Sequence, residues 1–155
     1  MASVVLVVIS LGALRYQYYA VAQGQLARAQ IAATHTAHLL LEDWKSTGGA
    51  TDYNPSRLGL GFSAPQSLPA GFTTPEGLGN TLNEAAYTLE QNGTTLTVAL
   101  KYKNVSQDTG AETTLRQLAV VARFAQAGEH DANSRLTGLP PITLVTYVRL
   151  DATNG

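Results

Sequence analysis

MASVVLVVISLGALRYQYYAVAQGQLARAQIAATHTAHLLLEDWKS, residues 1–46, reads as one helix that begins apolar and ends amphipathic. Residues 1–14 contain no charge, no side-chain amide and no proline. Beyond Arg15 polar side chains gather on one side, and no helix breaker intervenes before Thr47-Gly48-Gly49, where paired glycines supply the left-handed cap that stops a helix. The rest of the fold is whatever this helix can pack against.

A membrane-spanning helix needs about 20 apolar residues, whereas residues 1–14 supply only about 21 Å at ~1.5 Å per residue. Three readings compete for this run. A secretory signal would use Ala20-Val21-Ala22 as its small-residue cleavage site, but no Lys or Arg precedes the run and the helical pattern continues past Ala22. A buried core helix is disfavoured because Val4-Val5-Leu6-Val7-Val8-Ile9 offers no polar face. The favoured reading is a membrane segment that lacks its first turn or two. Arg15, Tyr16, Tyr18 and Tyr19 then mark the membrane interface, since arginine snorkels to headgroups and tyrosine collects where a helix leaves hydrocarbon.

The amphipathic half carries a packing stripe at Leu26, Ala29, Ala33, Ala37, Leu40 and Trp44, spaced by three and four residues. Small residues come first and allow close helix–helix approach; Leu40, Leu41 and Trp44 follow and suit a sheet. Ala20 and Gly24 add a small-xxx-small step near the membrane exit. The expected organisation is a stem over 1–19, an amphipathic helix over 20–47 and a globular domain over 48–155. Within that domain, 48–83 reads as a long loop with seven glycines and four X-Pro steps, tacked down by Leu58, Leu60, Phe62 and Phe72.

The sheet, expected over 85–151, is more regular. Residues 86–90 and 95–103 flank Asn92-Gly93, a strong hairpin signal. Leu96, Val98, Leu100 and Tyr102 alternate with Thr95, Thr97, Ala99, Lys101 and Lys103, which predicts one buried face and one wet face. A third strand over 115–124 places Leu118, Val120, Ala122 and Phe124 on one face, and Pro140-Pro141 opens a last strand over 142–151. The fold class is α+β: a long N-terminal helix packed on a small antiparallel sheet of about four strands.

Composition excludes more than it selects. The chain of 155 residues has no cysteine, which removes disulfides, thiolate metal sites and cysteine nucleophiles. Its net charge is −1, and ten Lys and Arg are scattered rather than clustered, so no nucleic-acid partner is expected. Charged residues make up only 14%, which suits a protein partly in lipid and partly buried in an assembly.

Candidate chemistry is thin. His35, His38 and Glu42 share a helix face at a spacing that can hold a metal, but no fourth ligand is suggested, and a solvated or packed face is the expectation. Glu129-His130-Asp131 and the DTGAE run at 108–112 lack the ordered ligand alternation of a calcium loop. Gly59-Leu60-Gly61 lacks the strand-to-helix context of a nucleotide loop. Asn92-Gly-Thr and Asn104-Val-Ser fit the glycosylation sequon, and a tight turn explains the first without it. No catalytic residue, cofactor or metal is expected, and the chain is read as no enzyme.

Residues 1–49 resemble the N-terminal helix of type IV pilin-like proteins, closest to the minor-pilin and pilus-modification group, and ITLVTYVRLDA at 142–152 looks like that group's last strand. The resemblance implies a minor pilin or type II secretion pseudopilin, single-pass in the bacterial inner membrane, with its C-terminal domain in the periplasm or on an extracellular filament. Implied partners are other pilin or pseudopilin subunits through helix packing, inner-membrane lipid before assembly, and a prepilin peptidase only if upstream residues exist. In that family a basic leader ends in glycine, the peptidase cuts after it, and a glutamate a few residues into the mature chain helps docking. Residues 1–14 contain no basic residue and no glutamate, so they hold neither such a leader nor the docking residue. The expectation is therefore a natural protein that begins upstream of Met1, and mass spectrometry finding the natural N-terminus at Met1 or Ala2 contradicts it. The alternative is a membrane-tethered or secreted binding domain that does not polymerise. On the filament reading, Ala33→Arg is expected to abolish assembly while the domain still folds.

Overall fold

The computed structural model describes residues 2–91, 94–105, 113–126 and 140–151, with side chains described from Arg15 onward except at Ala22, Thr113, Ala125, Gln126 and Asp151. The expected turn at Asn92-Gly93 and the polar runs at 108–112 and 129–131 lie outside these residues. One long helix, α1 (Ala2–Ser46), is followed by a 3-10 turn (Pro55–Leu58) and five strands: β1 (Gln66–Ser67), β2 (Asn80–Gln91), β3 (Thr94–Val105), β4 (Thr113–Gln126) and β5 (Ile142–Asp151). The chain divides into two compact units, residues 1–32 and residues 33–155. The first is helical throughout its described length.

The second unit holds the fold's core. Its five strands lie in the order β1-β2-β3-β4-β5, and every pairing is antiparallel. This is the expected α+β arrangement, with four long strands and a two-residue fifth that β1 contributes from inside the long loop. The loop also contains the 3-10 turn, in which Asn54 Oδ1 accepts from the Ser56 amide. Neither element is long enough to leave a periodic signature.

Ala33, Ala37, Leu40, Leu41 and Trp44 of α1 are buried on one face of the sheet, where Leu96, Val98, Leu100, Leu118, Val120 and Tyr87 are buried too. The helix then stops abruptly. Thr47 Oγ1 donates to the Trp44 carbonyl at 2.7 Å, and the Gly48 and Gly49 amides donate to Lys45 and Trp44 carbonyls, both at 3.0 Å. Gly49 has φ +68°, and a Cβ there would lie 2.8 Å from Val148 Cγ2 and 3.0 Å from Leu118 Cδ2. The glycine thus meets two demands, a left-handed backbone and close approach of the chain to the sheet.

The opposite sheet face departs from the expectation of a wet surface. Thr97 is 4% exposed and Ala99 0%, because residues 60–79 fold across that face as a strap. Phe72 and Leu78 from the strap cluster with Ala99, Ala119 and Val121. Small side chains on the strands leave the depth that a phenyl ring fills. Polar bonds fasten the margins: Arg123 Nη2 donates to Thr73 O at 3.2 Å and Thr73 Oγ1 at 2.6 Å, and Lys101 Nζ donates to Thr74 Oγ1 at 3.0 Å. Ser63 and Thr88 exchange backbone and hydroxyl bonds. Of the expected tacking residues, Phe62 and Phe72 are buried, Leu58 is half-buried, and Leu60 stays exposed at 45%.

Strand β2 begins six residues before the expected position 86. Thr81 pairs with Lys101 and Ala86 with Ala99, so residues 82–85 stand opposite Leu100 alone. This wide bulge sets Asn83 and Glu84 at φ +55° and +51° while burying Leu82 and Ala85. It breaks the two-residue alternation that a strand is recognised by. Just before it, a Cβ on Gly79 would collide with the Tyr102 carbonyl oxygen.

Because the strap closes a second core face, Phe72→Ala is expected to cost about 3–5 kcal/mol in urea unfolding of the full chain. A change within about 0.5 kcal/mol, normal for a surface loop, would contradict the two-sided core.

Candidate functional site

The first unit presents a helix surface with large exposed side chains. Tyr16, Tyr18 and Tyr19 are 77, 75 and 66% exposed, and Val21 and Ile31 are 61 and 70% exposed. The Tyr18 and Tyr19 rings meet edge-on with centroids 6.2 Å apart. Arg15, Ala20 and Gly24 are exposed as well, and nothing lies within 4 Å of a Cβ built on Gly24. The residues named as a membrane interface and as a small-xxx-small pair are thus exposed in the first unit.

The packing stripe divides differently. Leu26 is half-buried and Ala29 buried in the first unit. In the second, Ala33, Ala37, Leu40 and Trp44 are between 0 and 2% exposed, fully used by their own domain. Ala33→Arg would accordingly disturb the fold of its own chain, and it cannot separate assembly from folding as the sequence suggested. Among the stripe and step residues, Ala20 and Gly24 are the ones left accessible for close approach.

A corner of polar bonds fixes where the docked half of α1 ends. Trp44 Nε1 donates to the Ala50 carbonyl at 2.8 Å, and the Trp44 ring stacks on Tyr53 with centroids 5.7 Å apart and planes 16° apart. Tyr53 Oη in turn donates to Asp43 Oδ2 at 2.8 Å. Burial of the Tyr53 ring, followed by its hydrogen bond and proximity to Asp43, pushes the phenol well above its ordinary range. From β4, Arg116 Nη1 donates to the Gly49 carbonyl at 2.7 Å and its Nε to Asn104 Oδ1 at 2.8 Å, with the guanidinium 5.4 Å from the Tyr102 ring centroid. Asn104, noted as a sequon residue, is thus part of this corner.

Asp43, Tyr53, Arg116 and Arg123 carried no signal in the sequence. Two of them are arginines inside an otherwise apolar alternating strand, and that interruption is the mark that could have drawn attention to them. His35, His38 and Glu42 are all exposed, and Glu42 Oε2 faces Lys45 Nζ at 3.7 Å. Among the described residues, no group of three or more His, Cys, Asp or Glu is placed to hold a metal ion. Gly59 follows the 3-10 turn as its left-handed cap and opens no helix.

This geometry holds the end of α1 on the sheet of the second unit. Comparison with known proteins adds nothing to set beside it: the chain matches no family model, no curated protein and no solved structure.

The raised Tyr53 ionisation has a testable consequence. A folded-state value above the unfolded one contributes stability that is complete below about pH 10 and is lost as pH rises beyond it. Wild type should therefore lose more stability than Tyr53→Phe between pH 9 and about pH 11 in denaturant titrations. Equal pH slopes for the two proteins would contradict the assignment.

Proposed function

We propose that the chain is a non-catalytic structural subunit of a bacterial envelope filament, a minor pilin or type II secretion pseudopilin that assembles through its N-terminal helix. One observation carries the reading: residues 15–31 expose three tyrosines, a valine and an isoleucine around an unobstructed Ala20–Gly24 step. Water is a poor permanent environment for that surface, and lipid or a neighbouring helix is a good one. The helix-on-antiparallel-sheet fold is consistent with a pilin-like subunit, and the resemblance of residues 1–49 supports the same class.

Assembly on this reading is physical. The apolar end of the helix leaves lipid for a bundle of like helices, where small side chains let backbones come close and dispersion contacts accumulate. The domain, held by the Trp44 corner, sets the position of each subunit against the next. Before assembly the subunit resides in the inner membrane with its domain outside the cytoplasm, and its partners are other pilin or pseudopilin subunits, with a prepilin peptidase only if residues upstream of Met1 exist.

Among the described residues no helix is long and apolar enough to cross a membrane. The second reading is a membrane-tethered or secreted binding domain that does not polymerise. Gly24→Leu separates the two. Leucine has the higher helix propensity by somewhat under 1 kcal/mol, so the helix is kept while close approach is blocked. The filament reading expects the variant to fold and to be lost from sheared envelope filaments by at least tenfold, read by quantitative mass spectrometry. Unchanged recovery in filaments, or absence of wild type from them, would contradict it.

A further inference from the structure

The two edges of the sheet are finished differently. At one, β1 pairs with β2 through Gln66↔Ala86 and Ser67↔Ala85, and a two-residue strand offers little for another chain to extend. At the other, β5 runs for ten residues and is the last strand in the order, so among the described residues no strand pairs with its outer edge. Proteins commonly blunt such an edge with proline, an inward charge or a short strand. The run Ile142-Thr-Leu-Val-Thr-Tyr-Val precedes the first charge of β5, Arg149, and contains none of these devices.

Its side chains carry the same message. On the strap side of the sheet, Val145 pairs with Ala119 and Tyr147 with Gln117, so the two continue the apolar floor that Phe72 and Leu78 cover over β3 and β4. The cover stops short of them, leaving Val145 42% and Tyr147 55% exposed.

We propose that β5 pairs antiparallel with β5 of a second copy of this chain, about a two-fold axis at Tyr147. The strand is complementary to itself in that register. Tyr147 faces Tyr147 of the second copy, and Val145 faces Arg149, so the two arginines never stand opposite one another. Aromatic pairs and an aliphatic residue against an arginine stem are favourable cross-strand neighbours. On the helix side, half-buried Leu144 meets Leu150, and Thr146 meets Val148, extending the core across the junction. The axis reverses strand direction. This contact therefore joins copies of opposite polarity and is separate from helix packing between copies that point the same way.

The chain's lack of cysteine makes the test direct. Full-length Tyr147→Cys is prepared in detergent in the Gly24→Leu background, chosen to block close helix–helix approach at that step, and is oxidised beside Asp52→Cys as an exposed control. Directly opposed strand residues have Cα atoms about 4.5–5.5 Å apart, within disulfide reach. The expected result is a disulfide dimer at position 147 in at least tenfold excess over the control, abolished by adding Val145→Lys. Equal yields at 147 and 52, or sedimentation of the Gly24→Leu protein as a monomer at tens of micromolar, would overturn the proposal. Neither outcome bears on the filament reading, which rests on the helix.

Discussion

The second unit buries the last turns of α1 against its own sheet, and the rest of that unit depends on this contact. Helix α1 has 45 residues, a contour of about 67 Å at ~1.5 Å per residue. Within the second unit Ala33, Ala37, Leu40, Leu41 and Trp44 are buried, while the first unit has exposed tyrosines and an accessible glycine step. The position of Trp44 decides where the covered part ends. Its ring is seated by Tyr53, its indole N–H by the Ala50 carbonyl, and the following turn by Gly49 pressed against Leu118 and Val148.

That corner also links the helix to the rest of the domain. Asp43 and Tyr53 bridge helix and loop, while Arg116 reaches from the middle of the sheet to the Gly49 carbonyl. A charged group held this way is costly to leave without its partners, which makes the corner specific as well as stable. On the other sheet face the strap does for β3 and β4 what α1 does on the first. A domain of this size gains from two core faces, since one alone buries little apolar area.

What was legible in the sequence follows from periodicity. The helix, its stripe from Leu26 to Trp44, its glycine stop and the long strands all carry repeats of 3.6 or 2 residues over enough length to be recognised. The strap did not, because Phe72 and Leu78 are held by tertiary contact among prolines and glycines that keep no period. Its effect on Thr97 and Ala99 was invisible for the same reason: small or polar side chains read as solvent-facing until something large is known to lie above them. The bulge at 82–85 hid the start of β2 by interrupting the alternation. As for the candidate surface, the sequence named its residues, from Arg15 to Gly24, but assigned Ala33 and Ala37 to neighbours when the chain's own sheet takes them. A stripe of small residues shows that something packs there, and the partner's identity is a tertiary fact.

The proposed filament role requires other subunits to cover the exposed helix surface of the first unit. A photo-crosslinking amino acid at Ile31, which is 70% exposed, tests it in cells of the natural host. The expected result is covalent adducts with other helical subunits of the same filament, identified by mass spectrometry. Adducts with lipid alone, or no adduct at all, would contradict it.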